Sequence, residues 1–451
     1  MRTTFRRAVG VTAATLLAAG LAACSTGGSE AEGPVTITVA DRPTDDRPED
    51  QAYFDERVEA FEKANPDIDI EAVETVWDAQ TFQAMAASGE LPDVMGVPYT
   101  EPQGLIERQQ IADISDALEE SGLLDKLNPT TLSVVTGADG GVYGVPTAAY
   151  SIGLVYNRDL FTQAGLDPDS PPATWDEVRE AAKRITDSTD AAGYAQAGSG
   201  NQGGWIATAL TYSYGGTVEN EAGDEVTFDE GATQAALETI QEMRWTDGSV
   251  AENALYTLND LAQDFAAGEI GMYVAAPDAY WSLVQNYALD PAVFGVGPMP
   301  QDGGENGTLA GGGVRVVSPS ATEEEKAAAV AWIQFNYLEK FFDEELAVAD
   351  AKSAVEAGAL IGIRGLPVVS TEQDALYYEW IADYLNVPQE NFAPYLEAVD
   401  DMPIVPEPPN SAQELYAALD PVVQAVLSDP AADIETLLAD AAETVQSQLS
   451  R

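Results

Sequence analysis

Histidine is absent from this chain of 451 residues, and cysteine occurs once, at Cys24. Without histidine, the protein cannot build the His-based triads, proton relays or metal sites that many enzymes use. With one cysteine it cannot form an internal disulfide, so its stability must come from a packed core, which 45% hydrophobic residues can supply. Catalysis by carboxylates remains compatible with this composition. The sequence therefore disfavours an enzyme without excluding one, and we predict no metal, no cofactor and no catalytic residue.

Lysine and arginine are also scarce, since the chain has 20 of them against 76 Asp and Glu, for a formal net charge of −56. Nucleic acids and anionic lipid surfaces both bind proteins through basic patches, so this composition argues against either partner. The acidic residues are dispersed along the chain rather than massed in one tail. We interpret them as a solvated surface that keeps an exported protein soluble.

The N-terminal residues have the features of an export signal. Three arginines precede an apolar stretch, residues 9–23, that is shorter than the roughly 20 residues needed to span a bilayer comfortably. The stretch ends in Leu21-Ala22-Ala23-Cys24, which resembles the lipobox of bacterial lipoproteins. That resemblance implies a diacylglycerol on Cys24, with 1–23 as a signal peptide and 24–33 as a flexible tether. The alternative is an ordinary secretory signal with an unrelated cysteine.

Hydrophobic patterns along residues 35–97 predict the order β-α-β-α-β. Residues 35–39 alternate like a strand, and Phe54, Val58 and Phe61 recur at helical spacing before Asn65-Pro66 ends the helix. Two further strands are predicted near residues 68–70 and 93–97, with a short helix between them. Such an order favours an α/β lobe with a largely parallel sheet.

A second α/β lobe is predicted to begin near Tyr150, with its first strand at residues 152–155. Capping boxes, in which a Thr or Ser and a Glu three residues later bond each other's backbone, predict helix starts at Thr174, Thr322 and Ser411. Residues 402–409 are rich in proline and predict a rigid extended segment. The predicted fold class is α/β, with two lobes that each contain a mainly parallel sheet flanked by helices.

Residues that directly follow the predicted strands are candidates for a binding site, because ligands of open α/β sheets bind outside the carboxyl ends of strands. Carboxylate and guanidinium groups suit the hydroxyls of a sugar, and Tyr and Trp rings suit its apolar face. The predicted ligand-binding residues are Asp41, Arg42, Asp46, Tyr99, Glu101, Tyr150, Trp205, Asp278, Tyr280, Gly312 and Arg315. The pair Asp41-Arg42 is equally compatible with a solvated turn, and each ring with a place in a core.

The loop 198–203 matches the pattern G-x-G-x-x-G of dinucleotide-binding proteins. That fingerprint belongs after the first strand of a βαβ unit, and no clear apolar strand precedes the loop here. A phosphate loop ending in Gly-Lys-Ser/Thr is absent as well. We therefore do not predict nucleotide binding. Trp205 follows this loop, which is an uncommon place for a buried anchor and favours contact with a ligand.

Several segments taken together resemble the extracellular solute-binding proteins of bacterial ABC importers, in the sugar-binding group that includes maltose-binding protein. Their order and spacing carry the resemblance more than any one of them. The segments are Gly144-Val145-Pro146 with Leu154–Phe161, Ala164-Gly165-Leu166 with Pro172–Glu177, Phe265–Met272, and Pro298-Met299-Pro300 with Gly311-Gly312-Gly313.

The resemblance implies two lobes joined by a hinge, each built from separate stretches of chain. Lobe 1 would comprise 34–148 and 310–364, and lobe 2 would comprise 149–309 and 365–451 with the C-terminal helices. The family pattern places Tyr99, Tyr150 and Trp205 in the cleft between the lobes. Asp278 and Tyr280 fall where the family has another ring. That stretch reads Ala276-Pro277-Asp278 here, which predicts a ligand with more polar groups on this face.

We therefore predict a monomeric receptor, held at the outer face of the cell membrane only by a lipid on Cys24. It would capture a sugar or oligosaccharide by hinge closure and deliver it to the permease subunits of an ABC transporter. One alternative is a secreted carbohydrate-active enzyme that uses a carboxylate pair. Another is a surface sensor or adhesin without transport.

Overall fold

The computed structural model describes residues 33–449 except 46, 221–222, 229–230, 305, 400–401 and 409–411. The predictions for Cys24, Asp46 and Ser411 therefore fall outside the described residues. The strands are β1 (Val35–Val39), β2 (Ile68–Ala72), β3 (Val94–Pro98), β4 (Gly144–Ser151), β5 (Gly153–Asn157), β6 (Met272–Ala275), β7 (Phe294–Gly297), β8 (Thr308–Val317) and β9 (Ile404–Pro406). The helices are α1 (Pro48–Ala64), α2 (Ala79–Ser88), α3 (Pro102–Glu107), α4 (Ser115–Ser121), α5 (Pro129–Leu132), α6 (Arg158–Gln163), α7 (Trp175–Ser188), α8 (Gln202–Ser213), α9 (Gly231–Trp245), α10 (Leu258–Ala266), α11 (Ala279–Gln285), α12 (Glu323–Ile333), α13 (Glu344–Glu356), α14 (Thr371–Trp380), α15 (Ala393–Val399), α16 (Ala412–Ser428) and α17 (Ile434–Leu449).

The first sheet has the strand order β2-β1-β3-β8-β4, with β9 paired to β8. Strand β1 runs parallel to β2 and β3, whereas β8 runs antiparallel to β3 and β4. Helices α1 and α12 cover this sheet, and the rings of Phe61 and Trp332 meet edge to face with centroids 5.3 Å apart. Both rings are fully buried in a core that also contains Ile37 and Val145. This core defines lobe 1.

The second sheet has the order β6-β5-β7, and both outer strands run antiparallel to β5. A separate hydrophobic core surrounds it and includes Tyr156, Trp175, Phe265 and Leu419. The indole Nε1 of Trp175 donates to Ser213 Oγ at 2.9 Å, so even this buried ring has its polar atom paired. This second core defines lobe 2.

The two-lobed α/β class is confirmed, but the expectation of mainly parallel sheets is wrong for lobe 2. Strands β1, β2 and β3 form the parallel arrangement that the β-α-β-α-β pattern predicted, and β9 also runs parallel to β8 in the first sheet. Strand β4 leads the chain from lobe 1 towards lobe 2 and β8 brings it back, so these two crossing strands run in opposite directions. Hydrophobic patterns reveal that a strand is buried but not which way its neighbours run.

The predicted helix starts are confirmed where the structure describes them. Thr174 and Thr322 each form the complete capping box, at the starts of α7 and α12. Helix α1 begins with Pro48 in its first turn and ends at Asn65, whose side-chain amide donates to the carbonyl of Phe61. None of the helices in the described residues combines the length and apolarity needed to cross a bilayer.

Candidate binding cleft between the lobes

Two adjoining cavities separate residues of the lobe 1 sheet from the segment that carries β9 and the start of α16. The first, about 710 Å³, is lined by Trp77 and Glu101 on one side and by Glu407 and Gln413 on the other. The second, about 480 Å³, is lined by Tyr99 and Gln103 of lobe 1, by Tyr212 of α8 and by Val405 of β9. Both cavities are lined by Thr100, Glu407 and Pro408, so Glu407 stands where they meet.

A third cavity, which we call the aromatic pocket, lies on the lobe 2 side of Glu407. It measures about 340 Å³ and is lined by Tyr150, Trp205, Tyr273, Asp278 and Trp281, together with small and apolar residues. Trp205 links this pocket to the other two, because its indole Nε1 donates to Glu407 Oε1 at 3.0 Å. Aromatic faces and a carboxylate therefore stand side by side along the cleft.

Glu407 is a functional candidate that the sequence analysis did not select. Its Oε1 accepts hydrogen bonds from Trp205 Nε1 and from the Tyr416 hydroxyl, both at 3.0 Å. The prolines on either side restrict its backbone, so the carboxylate is held in place from both directions. An acidic residue within a run of prolines and apolar residues is an unusual surface element, and that was the available signal in the sequence.

Burial raises the pKa of Glu407, and hydrogen bonds from Tyr416 and Trp205 only partly oppose this effect. The negative charge of Glu101, across the first cavity, raises the pKa of Glu407 further. Burial also raises the pKa of Glu101, against the opposing influence of the Thr100 hydroxyl and Arg108. Two carboxyl groups from opposite walls thus favour a ligand that can donate hydrogen bonds to both.

The raised pKa of Glu407 predicts a pH dependence of stability. A carboxyl whose pKa is higher in the folded state contributes stability in full below its unfolded-state pKa and loses it as the pH rises through the folded-state pKa. Glu407→Gln has no proton to lose. We therefore expect the free energy of unfolding of the variant to rise relative to wild type between about pH 4 and pH 8. Urea denaturation across this range measures the difference, and a constant difference contradicts the raised pKa.

The glycine-rich loop before Trp205 serves packing rather than phosphate binding. At Gly204 a Cβ atom would lie 2.1 Å from the backbone carbonyl oxygen of Tyr416, so only glycine lets α8 approach α16 this closely. The buried Asp420 of α16 accepts hydrogen bonds from the backbone amides of Asn201 and Gly204, both at 2.8 Å. A carboxylate of the protein therefore occupies the position where a nucleotide phosphate would bind.

Tyr99 and Tyr150 lie against the glycines of β8. A Cβ atom at Gly311 would lie 2.4 Å from the Tyr150 hydroxyl, and one at Gly312 would lie 2.7 Å from Cε2 of Tyr99. Burial, followed by the charges of Glu407 and Asp278, raises the pKa of Tyr150 to about 12. The Tyr99 side chain is only 2% exposed, and its hydroxyl has no hydrogen-bond partner in the described part of the chain. Gly312 thus contributes space for Tyr99 at the edge of the second cavity.

The charged candidates Asp41, Arg42 and Arg315 lie in lobe 1 but line none of the three cavities. Arg42 donates to both carboxylate oxygens of Asp55, each at 2.8 Å, and this partner raises the pKa of the arginine. Asp41 accepts from the amide of Gly96 at 3.1 Å, and Arg315 Nη1 lies 3.8 Å from its carboxylate.

The Arg315 guanidinium also stacks over Tyr337, 4.3 Å from the ring centroid. The positive charges of Arg315 and Arg42 are therefore both paired with side chains within lobe 1. Gly96 makes room for this arrangement, since a Cβ there would lie 2.2 Å from Arg315 Nη1. Sequence spacing alone could not reveal such partners, because Asp55 and Tyr337 lie on helical segments, whereas Arg42 lies in the loop after β1 and Arg315 lies on β8.

Asp278 and Tyr280 face different surroundings although they are two positions apart. Asp278 is exposed and lines the aromatic pocket. Tyr280 is fully buried, and its ring meets those of Phe294 and Phe392 edge to face in the core of lobe 2. The neighbouring Trp281 is 51% exposed and lines the pocket. The spacing of Tyr280 to Leu283, which is also fully buried, marks the core face of α11 and could have separated the two rings.

A larger open depression, about 1140 Å³, lies on lobe 2 away from the cleft. Acidic and small residues line it, including Asp159, Asp187 and Glu269, and no aromatic ring is among its lining residues. All of its residues come from the same lobe, so motion between the lobes would not enclose a ligand there. The three cavities around Glu407 are the better candidate site.

Comparison with known proteins agrees with this architecture. The sequence profile of the bacterial extracellular solute-binding protein family matches residues 44–340. A binding protein of Brucella abortus (strain 2308) is 31% identical over 273 residues, which are 58% of this chain and 62% of that protein. The match therefore spans about three fifths of the length of that relative. The maltodextrin-binding protein MdxE of Bacillus subtilis (strain 168) is 27% identical over 353 residues, or 73% of this chain and 76% of the relative.

Among solved structures, the cyclic alpha-maltosyl-1,6-maltose binding protein of Arthrobacter globiformis aligns with a TM-score of 0.70. The identity is 23%, and the alignment covers 92% of this chain and 99% of that one, which shows a shared fold. The family profile extends over most of the described chain, including the segments at 144–177 and 265–272 that predicted the resemblance. The chain thus belongs to the bacterial extracellular solute-binding protein family.

Proposed function

We propose that this protein is the receptor of an ABC importer and that it binds a sugar or oligosaccharide between its lobes. The observation that carries the proposal is the contact of Trp205, which lines the aromatic pocket, with Glu407, which lines the other two cavities. A ring beside a fixed carboxylate offers a sugar both a stacking surface for its C–H face and an acceptor for its hydroxyls. Relatives named for binding maltodextrin and a cyclic maltosyl-maltose support the same ligand class.

The proposed ligand contacts come from both lobes. Tyr99 and Glu101 belong to the lobe 1 wall, while Tyr150, Trp205 and Asp278 line the lobe 2 side. Hinge motion would occur at the crossing strands β4 and β8, whose pairing shifts register between Pro146 and Ala148. Closure of the cleft would expel water and strengthen every hydrogen bond to the enclosed sugar.

Titration calorimetry against a panel of mono- and oligosaccharides, peptides and polyamines tests the proposal. We expect saturable binding of at least one sugar, with no new product in the mixture afterwards. Binding of peptides or polyamines without any sugar would contradict the sugar class, and cleavage of an oligosaccharide would favour an enzyme. Loss of uptake of the bound sugar on deletion of the gene would support delivery to a permease.

If Cys24 carries the proposed lipid anchor, replacing it should change where the protein is found in the cell but not how tightly it binds sugar. One acyl chain holds a protein at a membrane only marginally, whereas a diacylglycerol holds it stably. We expect Cys24→Ala to move the protein from the membrane fraction to the soluble fraction, with sugar affinity unchanged within about twofold. Fractionation followed by calorimetry measures both properties. Retention in the membrane fraction would contradict the anchor, and lost affinity would give Cys24 another role.

A further inference from the structure

The residues that line the aromatic pocket would select a ligand by its charge as well as by its shape. Four aromatic side chains line it, namely Tyr150, Trp205, Tyr273 and Trp281, and Asp278 is the one charged residue among its described lining residues. These side chains come from β4, α8, β6 and the start of α11, so the fold, rather than one local turn, assembles the pocket. Aromatic faces around a carboxylate are the surroundings that organic ammonium groups prefer, because the π faces and the carboxylate are all negative.

Asp278 forms no ion pair with a lysine or arginine in the described part of the chain, and no basic residue lines the pocket. The arginines that the sequence analysis placed in the site, Arg42 and Arg315, are held by carboxylates of lobe 1. Across all three cavities, Arg108 is the basic side chain among the described lining residues, and its Nε donates to Gln110. Among the described residues, no basic side chain therefore balances the negative charge of Asp278.

A buried hydroxyl gives independent support for a ligand in this pocket. Tyr273 lines the pocket and is only 1% exposed, yet its hydroxyl has no hydrogen-bond partner within the described residues. An unpaired buried polar group costs free energy, so such a group in a binding pocket is suited to a ligand that pairs with it. The pKa of Tyr273 is raised by burial and then by the negative charge of Asp278, which lines the same pocket.

Glu407 lines the two adjoining cavities and adds a second carboxylate next to the Trp205 side of the pocket. The charges of Glu407 and Asp278 both raise the pKa of Tyr150, and the indole of Trp205 donates a hydrogen bond to Glu407. A protonated amine donates hydrogen bonds as a hydroxyl does, and it adds a positive charge that the carboxylates of Asp278 and Glu407 attract. The chain as a whole is acidic, but four aromatic side chains around one carboxylate distinguish this pocket from the other two cavities, whose described linings have one and two aromatic side chains.

We propose that the ligand carries a protonated amine and that this group binds in the aromatic pocket between Asp278 and the surrounding rings. The ligand class would be basic sugars or amino-substituted polyols, with the remainder of the ligand extending past Trp205 towards Glu407 and Glu101. The assignment of the rest of the ligand to a sugar or polyol rests on the proposed function. The assignment of the amine depends only on the residues of the aromatic pocket.

The test compares ligands with and without a positive charge. Choline is titrated beside 3,3-dimethyl-1-butanol, in which carbon replaces the quaternary nitrogen, and this pair isolates the effect of charge because choline has no N–H donor. Each sugar of the panel is then titrated beside its amino counterpart, which carries N–H donors as well as the charge. The readouts are calorimetry and tryptophan fluorescence, to which Trp205 and Trp281 contribute among the seven tryptophans of the chain. We expect the cationic member of a pair to bind at least about tenfold more tightly. Asp278→Asn should remove that preference.

Glu269→Gln is the matched control, because it removes one negative charge from an exposed position on lobe 2 outside the cleft. It should leave the preference for the cation unchanged. Equal binding of neutral and amino sugars would overturn the amine site and leave the sugar receptor intact. Binding of choline without any sugar would retain the amine site and overturn the sugar receptor. If no member of any pair binds, both proposals are wrong.

Discussion

Replacement of Glu407 by alanine is expected to weaken ligand binding about fiftyfold. The change removes the shared acceptor of Trp205 Nε1 and the Tyr416 hydroxyl, leaving two donors unpaired and the indole free to rotate. Hydrogen bonds to a charged group are each worth about 1.5–3 kcal/mol, and 1.4 kcal/mol is a factor of ten in affinity. A net loss of about 2–2.5 kcal/mol in binding therefore corresponds to the expected factor. Calorimetry with the sugar identified from the panel measures it.

The control for this experiment is Glu443→Ala, which removes an exposed carboxylate from α17. Its affinity should stay within about twofold of wild type. Urea denaturation of both variants separates a binding effect from a loss of fold. If Glu407→Ala is folded and binds with wild-type affinity, Glu407 is not part of the site.

Gly312→Ala is expected to destabilise the protein by about 1–3 kcal/mol or more, because it overpacks the crossing strands. The new Cβ would lie 2.1 Å from the carbonyl oxygen of Ala148 in β4 and 2.7 Å from Cε2 of Tyr99. Backbone cannot move aside as a flexible side chain does, so β4 and β8 must separate or twist. Since these strands connect the lobes, the affinity for the ligand should fall together with the stability.

The adjacent Gly313 provides a matched control for the same strand. The nearest atom to a Cβ at this position is Thr147 Oγ1, at 4.0 Å, so Gly313→Ala has room. We expect a change of less than about 0.5 kcal/mol in the free energy of unfolding and no change in affinity. Equal losses at the two positions would mean that glycine is required there for flexibility rather than for close approach.

Much of the local structure was predictable because short-range rules determine it. The recurrence of Phe54, Val58 and Phe61 predicted α1, and the Thr-x-x-Glu boxes predicted the starts of α7 and α12. The direction of the strands in lobe 2 was not predictable in this way. It depends on how the chain crosses between lobes on β4 and returns on β8, which is a long-range property.

The candidate site was predictable in part for a similar reason. Tyr99, Tyr150 and Trp205 follow recognisable strands or loops, and the structure places all three beside the cavities. Glu407 was missed because its proline-rich segment was interpreted only as a rigid connection. Arg42 was selected for its charge, but its partner Asp55 lies on a different element, and sequence does not show which charges are already paired.

A crystal structure of the protein with the sugar identified by calorimetry tests the central claim most directly. The account predicts the sugar between the lobes, in contact with Trp205 and Glu407 and with at least one residue of lobe 1 such as Tyr99 or Glu101. It further predicts that the cleft is narrower than in the unliganded protein. A sugar bound to one lobe alone, or in the depression beside Glu269, would contradict it.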